Sequence, residues 1–155
     1  MPHWGYSFTG YDPEKTAVAS GRDLPISFKD AIEVCRAIKG LKIDEAERLL
    51  KDVINMRRPI PYRRFKRKVA HKRIEGWYAG RYPVKAAKHI LKVLENLKNN
   101  AENKALDVEN MRIVHAAAQM GRKIKKYIPR AFGRSTPYFQ QLVHIELAAV
   151  EEVVE

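Results

Sequence analysis

Apolar residues recur along this chain with two different periods, and the change of period divides it. After Ser27, followed three residues later by Asp30 in a capping-box-like start, Phe28, Ala31, Ile32, Cys35 and Ile38 return at helical spacing. Gly40 then supplies a stop. A second helix is predicted from Asp44 as N-cap, with Glu47 three residues on and Ala46, Leu49, Leu50, Val53 and Ile54 on one face. The third and longest begins after Pro83 and carries Val84, Ala87, Ile90, Leu91, Leu94 and Leu97 to about Asn103. Beyond a turn at 107–110 the period falls to two. Val143, Ile145, Leu147 and Ala149 alternate with Leu142, His144, Glu146 and Ala148, which predicts a strand with one face on a core.

That strand is the return arm of a long β-hairpin. Residues 111–121 go out, residues 139–150 come back, and the stretch 122–137 between them shows no alternation, so it has no core to sit on. Pro129, Gly133 and Pro137 mark turn or edge geometry at the tip. Arms of about seventeen residues at ~3.3 Å each reach on the order of 50 Å. A body of roughly 100 residues has a radius of gyration near 13 Å. The distal half therefore projects, and an isolated hairpin is marginal in water. Residues 1–26, with the turn residues Gly5, Gly10, Pro13, Gly21 and Pro25 and the aromatics Trp4, Tyr6, Phe8 and Tyr11, read as an extended segment that packs its rings on the body, with a short strand near Tyr6.

The expected fold is α+β: three helices packed on a small antiparallel sheet, with a long extended β-hairpin. A chain of 155 residues suits one domain, 1–155, with a basic loop at 55–82 and the hairpin at 111–150.

Charge sharpens this outline. The net charge is +12, but residues 1–54 contribute −1, residues 55–135 contribute +17 and residues 136–155 contribute −4. An excess confined to the middle points to a surface for an anion rather than to general alkalinity. Arg57, Arg58, Arg63, Arg64, Lys66, Arg67, Lys68, Lys72 and Arg73 occur with no acid between Val53 and Glu75. Nine like charges repel unless a polyanion neutralises them, and we assign them mostly to phosphate. Pro59 and Pro61 push this stretch toward extended backbone. Tyr62, Phe65, Trp77, Tyr78 and Tyr82 are interleaved with it; Trp77 and Tyr78 are read chiefly as packing residues. The tip adds Arg and Lys beside Tyr127 and Phe132, with Gly133 letting backbone approach a ligand closely.

Catalytic and metal chemistry find little support. There is no phosphate-cradling glycine loop and no nucleophile elbow. His71, His89, His115 and His144 are scattered over a basic loop, a helix and two strands, with no carboxylate spaced to orient them. One cysteine, Cys35, reads as a small core residue, makes no internal disulfide and gives no zinc spacing. Met56, Met111 and Met120 read as apolar filler. No cofactor is expected, no run approaches membrane-spanning length, and a cytoplasmic protein is the default.

The motif KYIPRAFGRSTP at 126–137, followed by HIE at 144–146, resembles the L-twenty-two family of large-subunit ribosomal proteins, its PRAFGR core at 129–134 being the most specific part. GRYPVKAAK at 80–88, NAENKALD at 100–107 and LPIS at 24–27 resemble the archaeal and eukaryotic branch. The likeness runs from about residue 6 to 151. It implies a non-enzymatic constituent of the large subunit that binds its RNA, supports assembly beside neighbouring ribosomal proteins, and sends the hairpin tip to the wall of the nascent-peptide exit tunnel. By motif, Arg122, Lys123, Lys125, Lys126, Arg130 and Arg134 would contact RNA or tunnel, together with Arg81 and Lys85 on the body. Tyr127, Pro129, Phe132 and Gly133 would form the tip beside the nascent peptide. The competing readings are an architectural DNA-binding protein that uses a basic β-arm, with Pro129 as a wedge, and a histidine ribonuclease.

Overall fold

A computed structural model describes residues 5–152. Its first strand, β1, lies at Thr16–Leu24, and Tyr6 sits in irregular backbone, so the strand expected near Tyr6 is found ten residues later. Thr16, Ala17 and Ala19 are the buried positions. Small side chains there let the strand press against helices without the large apolar residues that would have announced it.

Helix α1 spans Phe28–Ile38, with the Asp30 N–H donating to Ser27 Oγ at 3.4 Å and Ala31, Val34, Cys35 and Ile38 buried. Gly40 ends it at φ +89°, a conformation that side chains resist, and its N–H donates to the Ile113 carbonyl at 2.8 Å. Helix α2 spans Ile43–Ile54 and starts before Asp44: the N-cap is Lys42, whose N–H donates to Glu45 at 3.3 Å. Asp44 falls instead in the first turn, where a negative charge suits the helix dipole, and pairs with Lys98 at 3.7 Å.

The basic stretch contains short strands β2 (Ile60–Pro61), β3 (His71–Ile74) and β4 (Trp77–Arg81), which form a sheet in the order β2-β4-β3. The expected loop is thus partly a sheet, with Pro61 on an edge strand where no ladder N–H is needed. Exposed cations at Lys72, Arg73 and Arg81, and the shortness of each strand, hid the strand pattern. Helix α3 spans Val84–Asn103 and buries Ala86, Ala87, Ile90, Val93, Leu94, Leu97 and Ala101.

The hairpin follows as β5 (Met111–Ile124), β6 (Tyr127–Pro129), β7 (Ser135–Pro137) and β8 (Gln140–Glu151). The main sheet has the order β1-β8-β5, antiparallel throughout, with Thr16 opposite Val150 and Met111 opposite Glu151. α1 packs on β5, α3 on β1, and α2 on α3. The architecture is α+β, three helices on an antiparallel sheet with a long strand pair.

Because β8 is central, it is buried on both faces. Val143, Ile145, Leu147 and Ala149 join the core, but Leu142, Glu146 and Ala148 are buried as well, which corrects the one-faced strand read from alternation. The N-terminal segment meets the second face: Ser7 donates its N–H to Glu146 at 3.0 Å, and Phe8 stacks on His115 at 5.1 Å and on Tyr11 at 5.4 Å. Phe8 and Tyr11 therefore pack as expected, while Trp4 lies outside the described residues. No described helix is long and apolar enough to cross a membrane.

Candidate nucleic-acid interface

Residues 57–73 are pinned to the body by a buried acid. Glu33 of α1 is fully buried, and its carboxylate accepts the backbone N–H groups of Arg63 at 3.2 Å, Arg64 at 2.8 Å and Phe65 at 2.8 Å. Three donors on one carboxylate hold this turn firmly while the side chains of Arg63 and Arg64 stay in solvent. One turn earlier, Asp30 accepts the Tyr62 hydroxyl at 2.6 Å. Tyr62 is buried, and burial together with that hydrogen bond raises its pKa, so it is a neutral anchor. Trp77 donates its indole N–H to the Tyr62 carbonyl at 2.9 Å, with the Arg63 guanidinium 5.0 Å from its ring. Trp77 is thus a packing residue, as read. Tyr78 is not: it is 44% exposed, stacked on Trp77 at 4.8 Å and edge-on to His71.

A second knot marks the neck of the hairpin. Asp23 lies in an irregularity of β1 at φ +51°, donates its N–H to His144 Nδ1 at 3.0 Å and meets the Arg122 guanidinium at 2.7 Å. Gly121 lies between them; a Cβ there would come within 2.8 Å of His144 and 2.9 Å of Asp23, so any side chain would have to push these two groups aside. Gln141 donates to the Gly121 carbonyl at 2.8 Å, filling the bulge in β5.

Beyond the neck, pairing continues along the arms. Tyr127, Ile128 and Pro129 oppose Pro137, Thr136 and Ser135, so the stretch without alternation is itself mostly a ladder. It lacks alternation because both faces meet solvent. The turn is closed by the Arg130 N–H on the Arg134 carbonyl at 2.8 Å, and Arg130 Nε reaches Thr136 at 3.1 Å. Phe132, at φ +57°, is 98% exposed beside Gly133 at φ +65°. Tyr127 meets Phe139 edge-on at 5.7 Å, with Lys123 over the Phe139 ring.

The model for ribosomal protein L22p/L17e matches residues 19–150. The large ribosomal subunit protein uL22 of Archaeoglobus fulgidus is 60% identical over 150 residues, covering 96% of this chain and 97% of that protein. Those of Thermofilum pendens and Methanocaldococcus jannaschii are 54% and 55% identical, covering 97% and 90% of this chain and 99% and 90% of their own lengths. The chain belongs to the ribosomal protein L22p/L17e family.

Against that family background, the sequence-derived residues fall on two surfaces. Arg57, Arg58, Arg63, Arg64, Lys66, Arg67, Lys68, Lys72, Arg73, Arg81 and Lys85 are exposed on the body, and Arg122, Lys123, Lys125, Lys126, Arg130 and Arg134 are exposed along the arm. Among the described residues, Arg122 is the one member of this set with a carboxylate within 4 Å. The rest carry charge that nothing in the described chain neutralises. Sequence reasoning missed the acids that arrange this surface, namely Asp23, Asp30 and Glu33. The available signal was an acid beside the apolar stripe of α1, twenty residues before an acid-free run.

The histidines also need correction, since two do have carboxylates nearby: His115 is 3.9 Å from Glu146 and His144 is 4.0 Å from Asp23. Both belong to packed networks. Burial, ahead of the opposing charge of Glu146, lowers the pKa of His115, and burial followed by Lys92 and Lys85 lowers that of His89. Burial pushes the Cys35 thiol up to about 12, consistent with an inert core residue.

Proposed function

We propose that this chain is a structural, non-enzymatic constituent of the large ribosomal subunit that binds large-subunit ribosomal RNA through its two basic surfaces. In this reading it acts as a single domain in the cytoplasm beside neighbouring ribosomal proteins, and its hairpin tip, Tyr127, Pro129, Phe132 and Gly133, lines the exit tunnel next to the nascent peptide. The observation that carries it is the unneutralised charge. Sixteen of the seventeen assigned cations lack an acidic partner among the described residues, on a chain 60% identical to a protein named for the large subunit. Such a surface is costly alone and favourable on a polyanion.

Sedimentation of the full-length protein with large subunits across a salt gradient tests this. Co-sedimentation that survives moderate salt, with tighter retention on folded ribosomal RNA than on duplex DNA in gel shifts, is expected. Equal affinity for both nucleic acids would undercut the ribosomal reading.

A further inference from the structure

Between the start of α1 and the loop after β2 lies an open pocket of about 420 Å³. That falls in the usual range for small-molecule sites, about 300–1,000 Å³. Lys29, Arg64, Lys66, Arg67 and Arg81 line it, as does the ring of Phe65. These are the parts of a nucleotide site: cations for phosphate and a flat apolar face for a base. The Arg64 guanidinium stands 5.4 Å from the Phe65 centroid, a planar cation on an aromatic ring to which a further flat group can add. The site is also held in shape before any ligand arrives, because Glu33 fixes the backbone of Arg64 and Phe65.

Asp30 sets the chemistry of the ligand. Its carboxylate lines the same pocket, with Oδ1 taking the Tyr62 hydroxyl and Oδ2 receiving no hydrogen bond among the described residues. A carboxylate in a phosphate-binding pocket is repulsive unless it faces hydrogen-bond donors, and RNA offers donors on its bases. Guanine presents N1–H and the 2-amino group side by side, matching the two oxygens of one carboxylate. Adenine and cytosine present a single amino group on that edge, and uracil an N–H flanked by carbonyls.

We propose that this pocket receives one unstacked guanine of a bound RNA, stacked against the Phe65–Arg64 pair, its Watson–Crick donors on Asp30 and its flanking phosphates on the surrounding cations. The assignment rests on the RNA-binding reading above and adds a base-specific contact to it.

The test is fluorescence anisotropy of the full-length protein with short oligouridylates carrying one central guanosine, adenosine or inosine, at fixed moderate salt. Guanosine is expected to bind about tenfold tighter than adenosine, the discrimination of a good bidentate base contact. Inosine, which keeps N1–H but lacks the 2-amino group, is expected to fall between. Asp30→Asn, with its thermal transition checked, should collapse the ratio toward one, whereas Asp44→Asn on α2 should preserve it. Ultraviolet crosslinking of the guanosine oligonucleotide should mark the peptide containing Phe65. Equal binding of all three oligonucleotides by the unaltered protein would overturn the pocket and leave the RNA-binding reading standing. Failure to bind either these or ribosomal RNA would overturn both.

Discussion

Asp23 and Arg122, ninety-nine residues apart, form an ion pair of 2.7 Å where the hairpin leaves the body. The pair sets the direction of the arm more than the stability of the fold, because the Arg122 side chain is 80% exposed and solvent screens it. Asp23→Asn is therefore expected to leave the melting temperature nearly unchanged while accelerating amide exchange at Arg122 and at the partner strand around Gln141. Unchanged exchange would mean that the ladder alone holds the neck.

The same pair sets a pH limit. The Arg122 hydrogen bond holds the Asp23 carboxyl below its ordinary value of 3.8. The folded state thus takes up this proton less readily than the unfolded chain. The contribution is complete above the ordinary value and is lost as pH falls through the depressed one. Protection of the Arg122 amide should hold steady from neutrality down to about pH 5 and fade only in stronger acid. Exchange corrected for its intrinsic pH dependence measures this.

Glu33→Gln should be the most damaging single change near the basic surface. One carboxylate accepts three backbone donors, and a glutamine brings its own N–H₂ toward them. A loss of about 2–4 kcal/mol in urea unfolding is expected, the scale of buried charge-assisted hydrogen bonds. RNA affinity should fall with it although no contacting cation has been altered.

Arg67→Ala and Arg73→Ala should each weaken RNA binding across sequences and reduce the slope of log affinity against log salt by about one. Titrations at several salt concentrations read this directly.

Replacing residues 125–139 by Asn-Gly joins Ile124 to its partner Gln140 through a two-residue turn. The core lies at the base of the hairpin, so the melting temperature should shift by about 4 °C or less, equivalent to about 1 kcal/mol. Loss of the cooperative transition would contradict the division into body and arm.

The helices were legible because Ala31, Cys35, Leu50, Ile90 and Leu94 mark a buried stripe that periodicity detects. The strand at Thr16–Leu24 was not, since Ala17 and Ala19 carry little hydrophobic signal and the core reaches them through α3. The second buried face of β8 was equally silent: Glu146 is 1% exposed yet looks like a surface acid in sequence. Burial pushes its pKa up, but the two Ser7 hydrogen bonds and the charges of Arg22 and His115 bring it below the ordinary value. Those partners lie more than a hundred residues away, or across a strand pair. The exposed cations of the two basic surfaces were readable one by one. The acids that position them were not, because long-range contacts leave no local pattern.

The central place of β8 has a consequence for how the chain is made. Its partners are β1, whose Thr16 meets Val150, and β5, so neither ladder can zip until the last strand of the sheet has been synthesised. Pairings between such distant positions are slow to form, and unpaired strand edges beside a segment of charge +17 attract the wrong partners while they wait. Until β8 is made, β1 and β5 stay unpaired and the cations bare, so early capture by a chaperone or by RNA competes with closure of the main sheet.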